Sequence, residues 1–417
     1  MGGFKIMGER HIGRQPIIDT RAKIAAYDLL YRETGHGDDD NAITASVISN
    51  LMGTIGIDTI LGKHFGFIRI NRDFLNYDLI HSLPREKIVY ALLPEIEVDE
   101  TLLTRLRELK KEGYSFALND SVFDGAFMTK TSRLYPLLSF MKIDVSRSDL
   151  RLLGQEINAI KRYGVTLIGA KIETHDAYNL CRSMGFDYFQ GYFISQPNVI
   201  THAGFSAEQQ AIIQLWNMLQ SDAEMPTLVN AFEQNHVVSM KLLQFINSAA
   251  FSLRSPVSSI AHVLTLMGRD PISRWIMLMM FADEDQKESR RVPLLLMVIN
   301  RTELMHGLIE KLNSSATKAE KATAYFVGML SLVHLLFHMP QQEILSKLNI
   351  SKEVEEALLH SKGYLGGLLD LVRSIELNDM ESIRHYLGKT RFDYSDIEPV
   401  VIAAMQKVNQ MEKEMER

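Results

Sequence analysis

A single cysteine, Cys181, stands in 417 residues. One thiol forms no internal disulfide framework and no Cys-rich zinc site. No run of 18 apolar residues is present, so no membrane-spanning helix is expected. The opening MGGFKIMGER lacks the apolar stretch of a secretory signal. Its MGG also lacks the Ser/Thr of a myristoylation signal. The expectation is a cytoplasmic protein without membrane insertion. Basic excess is missing too: 45 Lys+Arg face 51 Asp+Glu, a net charge of −6. That removes the global footprint of a nucleic-acid binder, so no nucleic-acid partner is expected. With 46% apolar residues the chain is too hydrophobic for disorder. Its length implies two or three domains at roughly 100–200 residues each. Methionine is abundant, at 21 residues against 2 Trp.

The first half alternates short apolar runs with helical patterns. The runs begin at Phe65, Ile88, Tyr114, Phe140, Val165 and Tyr188, at near-even spacing. Continuous apolar strands separated by helices indicate a parallel sheet covered on both faces. Between them, Glu100–Glu112 places apolar residues at i, i+3 and i+4. With a further segment at Ile24–Tyr31, the count approaches a (β/α)8 barrel of the TIM type. A doubly wound sheet is the alternative, disfavoured because no Gly-rich phosphate loop follows the first run. Near residue 197 the pattern changes to helices in series. The fold class is therefore α/β plus all-α: a barrel over 1–198, then an all-helical domain over 199–417.

In a parallel barrel the site lies at the C-terminal ends of the strands. Those positions hold Asp28, Asn71, Ala91, Asn119, Asp120, Lys142, Asp144, Ala170, Lys171 and Gln190. Carboxylates, amides and lysines together suit a hard cation or a phosphate. The bland alternative is that polar groups crowd the mouth of any barrel and satisfy one another. An ordered set of segments runs through this half: Gly13-Arg14-Gln15-Pro16-Ile17, Tyr27-Asp28-Leu29-Leu30-Tyr31-Arg32, Ile70-Asn71, Ala117-Leu118-Asn119-Asp120, Met141-Lys142-Ile143-Asp144, Ile172-Glu173-Thr174 and Phe189-Gln190-Gly191-Tyr192-Phe193. As a set it resembles the EAL domain of bacterial cyclic-di-GMP phosphodiesterases.

The resemblance implies a ligand pocket containing Arg14, Asp28, Arg32, Asn71, Asn119, Asp120, Lys142, Asp144, Glu173 and Gln190. It also exposes departures. The signature Glu is Asp28. A ligand Glu is replaced by Ala91, the metal-bridging Asp by Asn119, and the Glu implicated in activating water by Ala170. Two-metal hydrolysis needs carboxylates against about +4 of charge held about 3.5–4 Å apart. The neighbouring Lys171 repels cations. The expectation is a degenerate site with no catalytic residues, no metal and no cofactor: not an enzyme. The lost metals, and Ser121-Val122 in place of the family's Phe-Gly after its paired aspartates, also weigh against cyclic-di-GMP binding without excluding it.

In the second half, Lys241-Leu242-Leu243, Ile246-Asn247-Ser248-Ala249, Ser255-Pro256-Val257-Ser258-Ser259-Ile260, Leu266-Met267-Gly268 and Gly328-Met329-Leu330 form another set. It resembles the HDOD domain, whose members are regarded as non-enzymatic signalling modules. Asn247, Ser248, Pro256 and Ser259 are expected to be structural, satisfying backbone at helix ends. No His-Asp dipeptide occurs here; the pair His175-Asp176 lies in the barrel. His334 and His338 sit at i, i+4 among apolar residues and read as core or surface groups. Met277, Met279, Met280, Met297 and Met305 are core filler or an adaptable partner groove. The order EAL then HDOD implies a regulator of motility, pilus function, surface attachment or biofilm formation that works through protein contacts. The alternative is a cyclic-di-GMP receptor or weak phosphodiesterase.

Overall fold

The computed structural model describes residues 10–33, 56–122, 125–148, 150, 154–191, 207–221, 223–247, 257–281, 291–337, 340–348 and 350–415. Eight strands close into a barrel in sequence order. They are β1 (Arg10–Asp19), β2 (Ile24–Glu33), β3 (Phe65–Ile70), β4 (Ile88–Leu92), β5 (Ser115–Ser121), β6 (Phe140–Asp144), β7 (Thr166–Ala170) and β8 (Tyr188–Phe189). Strand β1 runs antiparallel to both β2 and β8, and the other pairings are parallel. The TIM-like barrel and the helical region after it agree with the expected fold class. The hairpin partner β1 is the strand that the apolar-run pattern misses. Its sequence RHIGRQPIID carries Gly13 and Pro16, both poor strand formers.

Two apolar layers hold the barrel. Inside it, Ile17, Ala26, Phe67, Val89, Ala91, Ala117 and Ile168 pack together with Phe65, Phe140 and Tyr188. Outward positions pack against the surrounding helices. Helix Glu100–Lys111 shows the local logic. Asp99 accepts from the Leu102 amide at its start, and Leu102, Leu103, Leu106 and Leu109 bury one face.

The chain forms two compact units, residues 1–196 with 371–417, and residues 197–370. This differs from the expected all-helical half at 199–417. The last two helices, Met380–Leu387 and Tyr394–Met415, belong with the barrel. The first of them starts at a polar cap. Asp379 caps it by accepting from Ser382, and Met380, Ile383 and Leu387 bury its inner face.

Buried polar contacts tie the final helix to the barrel. The Arg14 guanidinium donates to the Ile60 carbonyl, to Asn409 Oδ1 at 2.8 Å and to the Met405 carbonyl at 3.1 Å. It also stacks 4.3 Å over the Tyr27 ring. Asn409 donates back to the Thr59 carbonyl at 2.7 Å. Gly62, with φ 59°, lets this helix come close: a Cβ there would lie 3.1 Å from Asn409 Cγ. His64 Nε2 meets Glu412 at 2.8 Å, and Lys63 lies 3.4 Å from the same carboxylate. Burial alone would raise the Glu412 carboxyl, but the His64 hydrogen bond and the charges of His64 and Lys63 outweigh it and hold it below its ordinary value.

In the helical unit, Ser259 accepts from His262 and starts helix Ile260–Met267. Thr317 and Glu320 form a capping box. Helices Arg291–Leu312 and Lys318–Leu330 approach closely at Gly328, where a Cβ would meet the Arg301 carbonyl at 3.0 Å. Trp216 stacks on Phe326 with ring centroids 4.8 Å apart. Met305 is buried, so that methionine is core. Among the described residues no helix is long and apolar enough to cross a membrane.

Arg14→Ala removes the donor to three part-buried acceptors and should cost about 2–4 kcal/mol, read as a lower unfolding midpoint in urea. A lowered folded pKa makes Glu412 stabilising above its ordinary 4.5 and lost as pH falls through the folded value. As the pH falls below 4.5 the wild type should therefore lose stability that Glu412→Gln does not lose. Parallel denaturation curves for the two proteins across that range would count against the linkage.

Candidate functional site at the mouth of the barrel

Side chains alternate inward and outward along each strand. The inward parity that puts Ala26, Phe67, Ala117, Phe140 and Ile168 in the interior continues upward to Asp28, Arg69, Asn119, Lys142, Asp144 and Ala170. On β1 the same parity gives Gln15 and Ile17. Gln190 Nε2 donates to Gln15 Oε1 at 2.6 Å across the barrel wall.

Six charged groups form a string of alternating sign. Lys142 Nζ donates to Asp28 Oδ2 at 2.7 Å. Arg69 lies 3.9 Å from Asp28 and 3.8 Å from Asp120. Lys171 Nζ lies 3.8 Å from Asp120 and donates to Asp144 Oδ2 at 2.7 Å. Ser146 donates to the other Asp144 oxygen at 2.6 Å. Asp28, Lys142 and Asp144 are buried, whereas the Arg69 and Lys171 side chains are 44% and 48% exposed. Burial alone would raise the Asp28 carboxyl, but the Lys142 and Arg69 charges hold it below its ordinary value. At Asp144 burial is likewise outweighed, chiefly by the Lys171 hydrogen bond.

Several buried polar atoms have no hydrogen-bond partner among the described residues: Asp28 Oδ1, Gln190 Oε1, and both Asn119 Oδ1 and Nδ2. A buried amide with neither end satisfied is costly, and water or a bound polar group can satisfy it.

The two-cation centre of the phosphodiesterases that this barrel resembles does not fit these residues. Asp28 and Asp144 each hold an ammonium at 2.7 Å. Among the described residues no three His, Cys, Asp or Glu side chains are grouped to hold a metal ion. Asn119 cannot bridge two ions as a carboxylate does.

The remaining expected pocket residues divide. Asn71 Oδ1 accepts from the Phe74 amide and shapes the turn after β3. Glu173 is exposed beside the helix His175–Ser183. Arg14 is not in the pocket: its strand position has outward parity, and the final helix engages it. The Arg32 side chain lies outside the described residues, as do Ser248 and Pro256. Arg69 was missed. Its signal was a lone cation at an inward position of the apolar run FGFIRI. In the helical unit Asn247 Nδ2 donates to the Leu243 and Val257 carbonyls, and its Oδ1 accepts from the Val257 amide at 2.7 Å.

Comparison with known proteins follows the two units. The EAL domain family model matches residues 70–197, and the HDOD domain model matches residues 207–362. "Uncharacterized protein YuxH" of Bacillus subtilis (strain 168) is 28% identical over 382 residues, covering 89% of this chain and 91% of the relative. "Cyclic di-GMP phosphodiesterase CdgJ" of Vibrio cholerae is 25% identical over 405 residues, covering 94% of this chain and 91% of the relative. The EAL domain of Mycobacterium smegmatis DcpA is 19% identical over 45% of this chain and 92% of that one, with a TM-score of 0.37. The expectation that the chain is not an enzyme is overturned by the second relative, which matches nearly the whole chain and is named a phosphodiesterase. Substitution at Ala91, Asn119 and Ala170 therefore does not rule out activity. The chain carries an EAL domain followed by an HDOD domain.

Proposed function

We propose that the barrel mouth binds cyclic-di-GMP and hydrolyses it slowly. The observation that carries this reading is the half-exposed pair Arg69 and Lys171, which flanks Asp120 above the unsatisfied Asn119 amide. Guanidinium and ammonium groups suit phosphoryl oxygens, and they stabilise charge that grows there during ester cleavage. Asp120, between them, is placed to take a proton from an attacking water. The relation to CdgJ supports the substrate. The test follows conversion to the linear dinucleotide by the full chain, with and without Mg²⁺ or Mn²⁺. Slow turnover is expected, falling about a hundredfold in Asp120→Ala. Neither turnover nor calorimetric binding in the unmodified protein would sink the proposal.

The helical unit is proposed to pass the bound state to a protein partner in motility, pilus or biofilm control. Support comes from the exposed Val237, Met240, Phe245 and Leu266 side chains. A partner recovered from the native host by the wild type should be lost with Met240→Glu. Equal recovery by both would argue against this face.

A further inference from the structure

We propose that Arg69 and Lys171 are the resident cations of the site, standing where divalent ions would otherwise act, so that the barrel mouth holds its phosphodiester without a metal. The inference rests on the reading of this mouth as a cyclic-di-GMP site. Three observations carry it.

The first is the order of the charges. Asp28, Asp120 and Asp144 are each within 4 Å of one or both of these cations, and Asp28 has Lys142 besides. Among the described residues three carboxylates meet three cations, so the charges of these six groups sum to zero. A divalent ion entering beside Lys171 meets repulsion at close range and must compete with an ammonium at 2.7 Å for Asp144.

The second is depth. Asp28 and Asp144 are at 1% and 0% exposure, whereas Arg69 and Lys171 reach outward. Asp28 and Asp144 lie deep with the buried Lys142, and the two cations nearest solvent are Arg69 and Lys171. An anion arriving from solvent meets the cations first. Beneath them the unsatisfied Asn119 amide offers both a donor and an acceptor.

The third is backbone strain. Lys171 has φ 55° and Asp120 has φ 42°. Both are left-handed, a conformation that costs a residue with a Cβ and that glycine adopts freely. The two strained residues come from different strand ends, yet their charged atoms lie 3.8 Å apart. Strained side-chain-bearing residues that converge on one cluster mark a position where the side chain matters.

Isothermal titration of the full chain with cyclic-di-GMP, in EDTA and in Mg²⁺, tests the idea. Affinities in the two buffers should agree within about threefold, and Lys171→Gly should weaken binding in EDTA about tenfold or more. Glycine suits the local backbone, so this variant is expected to fold; Arg69→Gln, expected to show the same loss, is the second. Removing the lysine should also tighten Mn²⁺ uptake, read from the signal of free Mn²⁺ in electron paramagnetic resonance, by about tenfold or more. Binding that requires Mg²⁺ overturns the inference and leaves the proposed function standing. So does a Lys171→Gly protein with unchanged dinucleotide affinity and unchanged Mn²⁺ uptake. Absence of binding in both buffers overturns the proposed function and the inference together.

Discussion

Lys142 is the constraint around which the barrel mouth is built. Its ammonium sits at 1% exposure inside a closed sheet, 5.7 Å from the Phe67 ring centroid. A charge so placed is tolerable only with a partner in contact. Asp28 supplies that partner, and Gln190 supports it by donating to the same oxygen at 3.1 Å. Once Asp28 is committed, the remaining charges order themselves around it. Arg69 approaches from β3, Asp120 balances Arg69, and Lys171 links Asp120 to Asp144. Each group is held by neighbours of opposite sign, so the arrangement of the mouth follows from one buried pair. The aromatic floor of Phe65, Phe67 and Phe140 keeps water from undercutting that pair.

Much of the barrel was legible because each parallel strand is a short apolar run buried on both faces. Strand β1 was not, because its pairing depends on β2 and β8 and not on its own composition. Site residues were legible where strand parity and motif agreed, as at Asp28, Lys142 and Asp144. Arg14 shows what happens when they disagree. Its motif implies a place in the ligand pocket, while parity points it out of the barrel. Parity prevailed, since alternation is fixed by backbone geometry and a motif match is not. Arg69 is the converse case, an inward residue within an apolar run that the family pattern did not single out.

The family resemblance carried its own lesson. Ala91, Asn119 and Ala170 stand where the family pattern has ligands and a base, and taken alone they point to an absence of activity. A list of lost groups says nothing about the groups gained. Arg69 and Lys171 bring positive charge to the same mouth. A relative named as a phosphodiesterase matches 94% of the chain at 25% identity.

The barrel unit is interrupted in sequence by the helical unit, and its final helix holds Asn409 and Glu412, the partners of Arg14 and His64. During synthesis at about 5–20 residues per second, the eight strands leave the ribosome well before those partners exist. For that interval Arg14 and His64 belong to an unfinished surface. The helical unit, contiguous from 197 to 370, has all its own contacts first. The order of maturation is thus the reverse of the order of translation: the domain begun first is the one completed last.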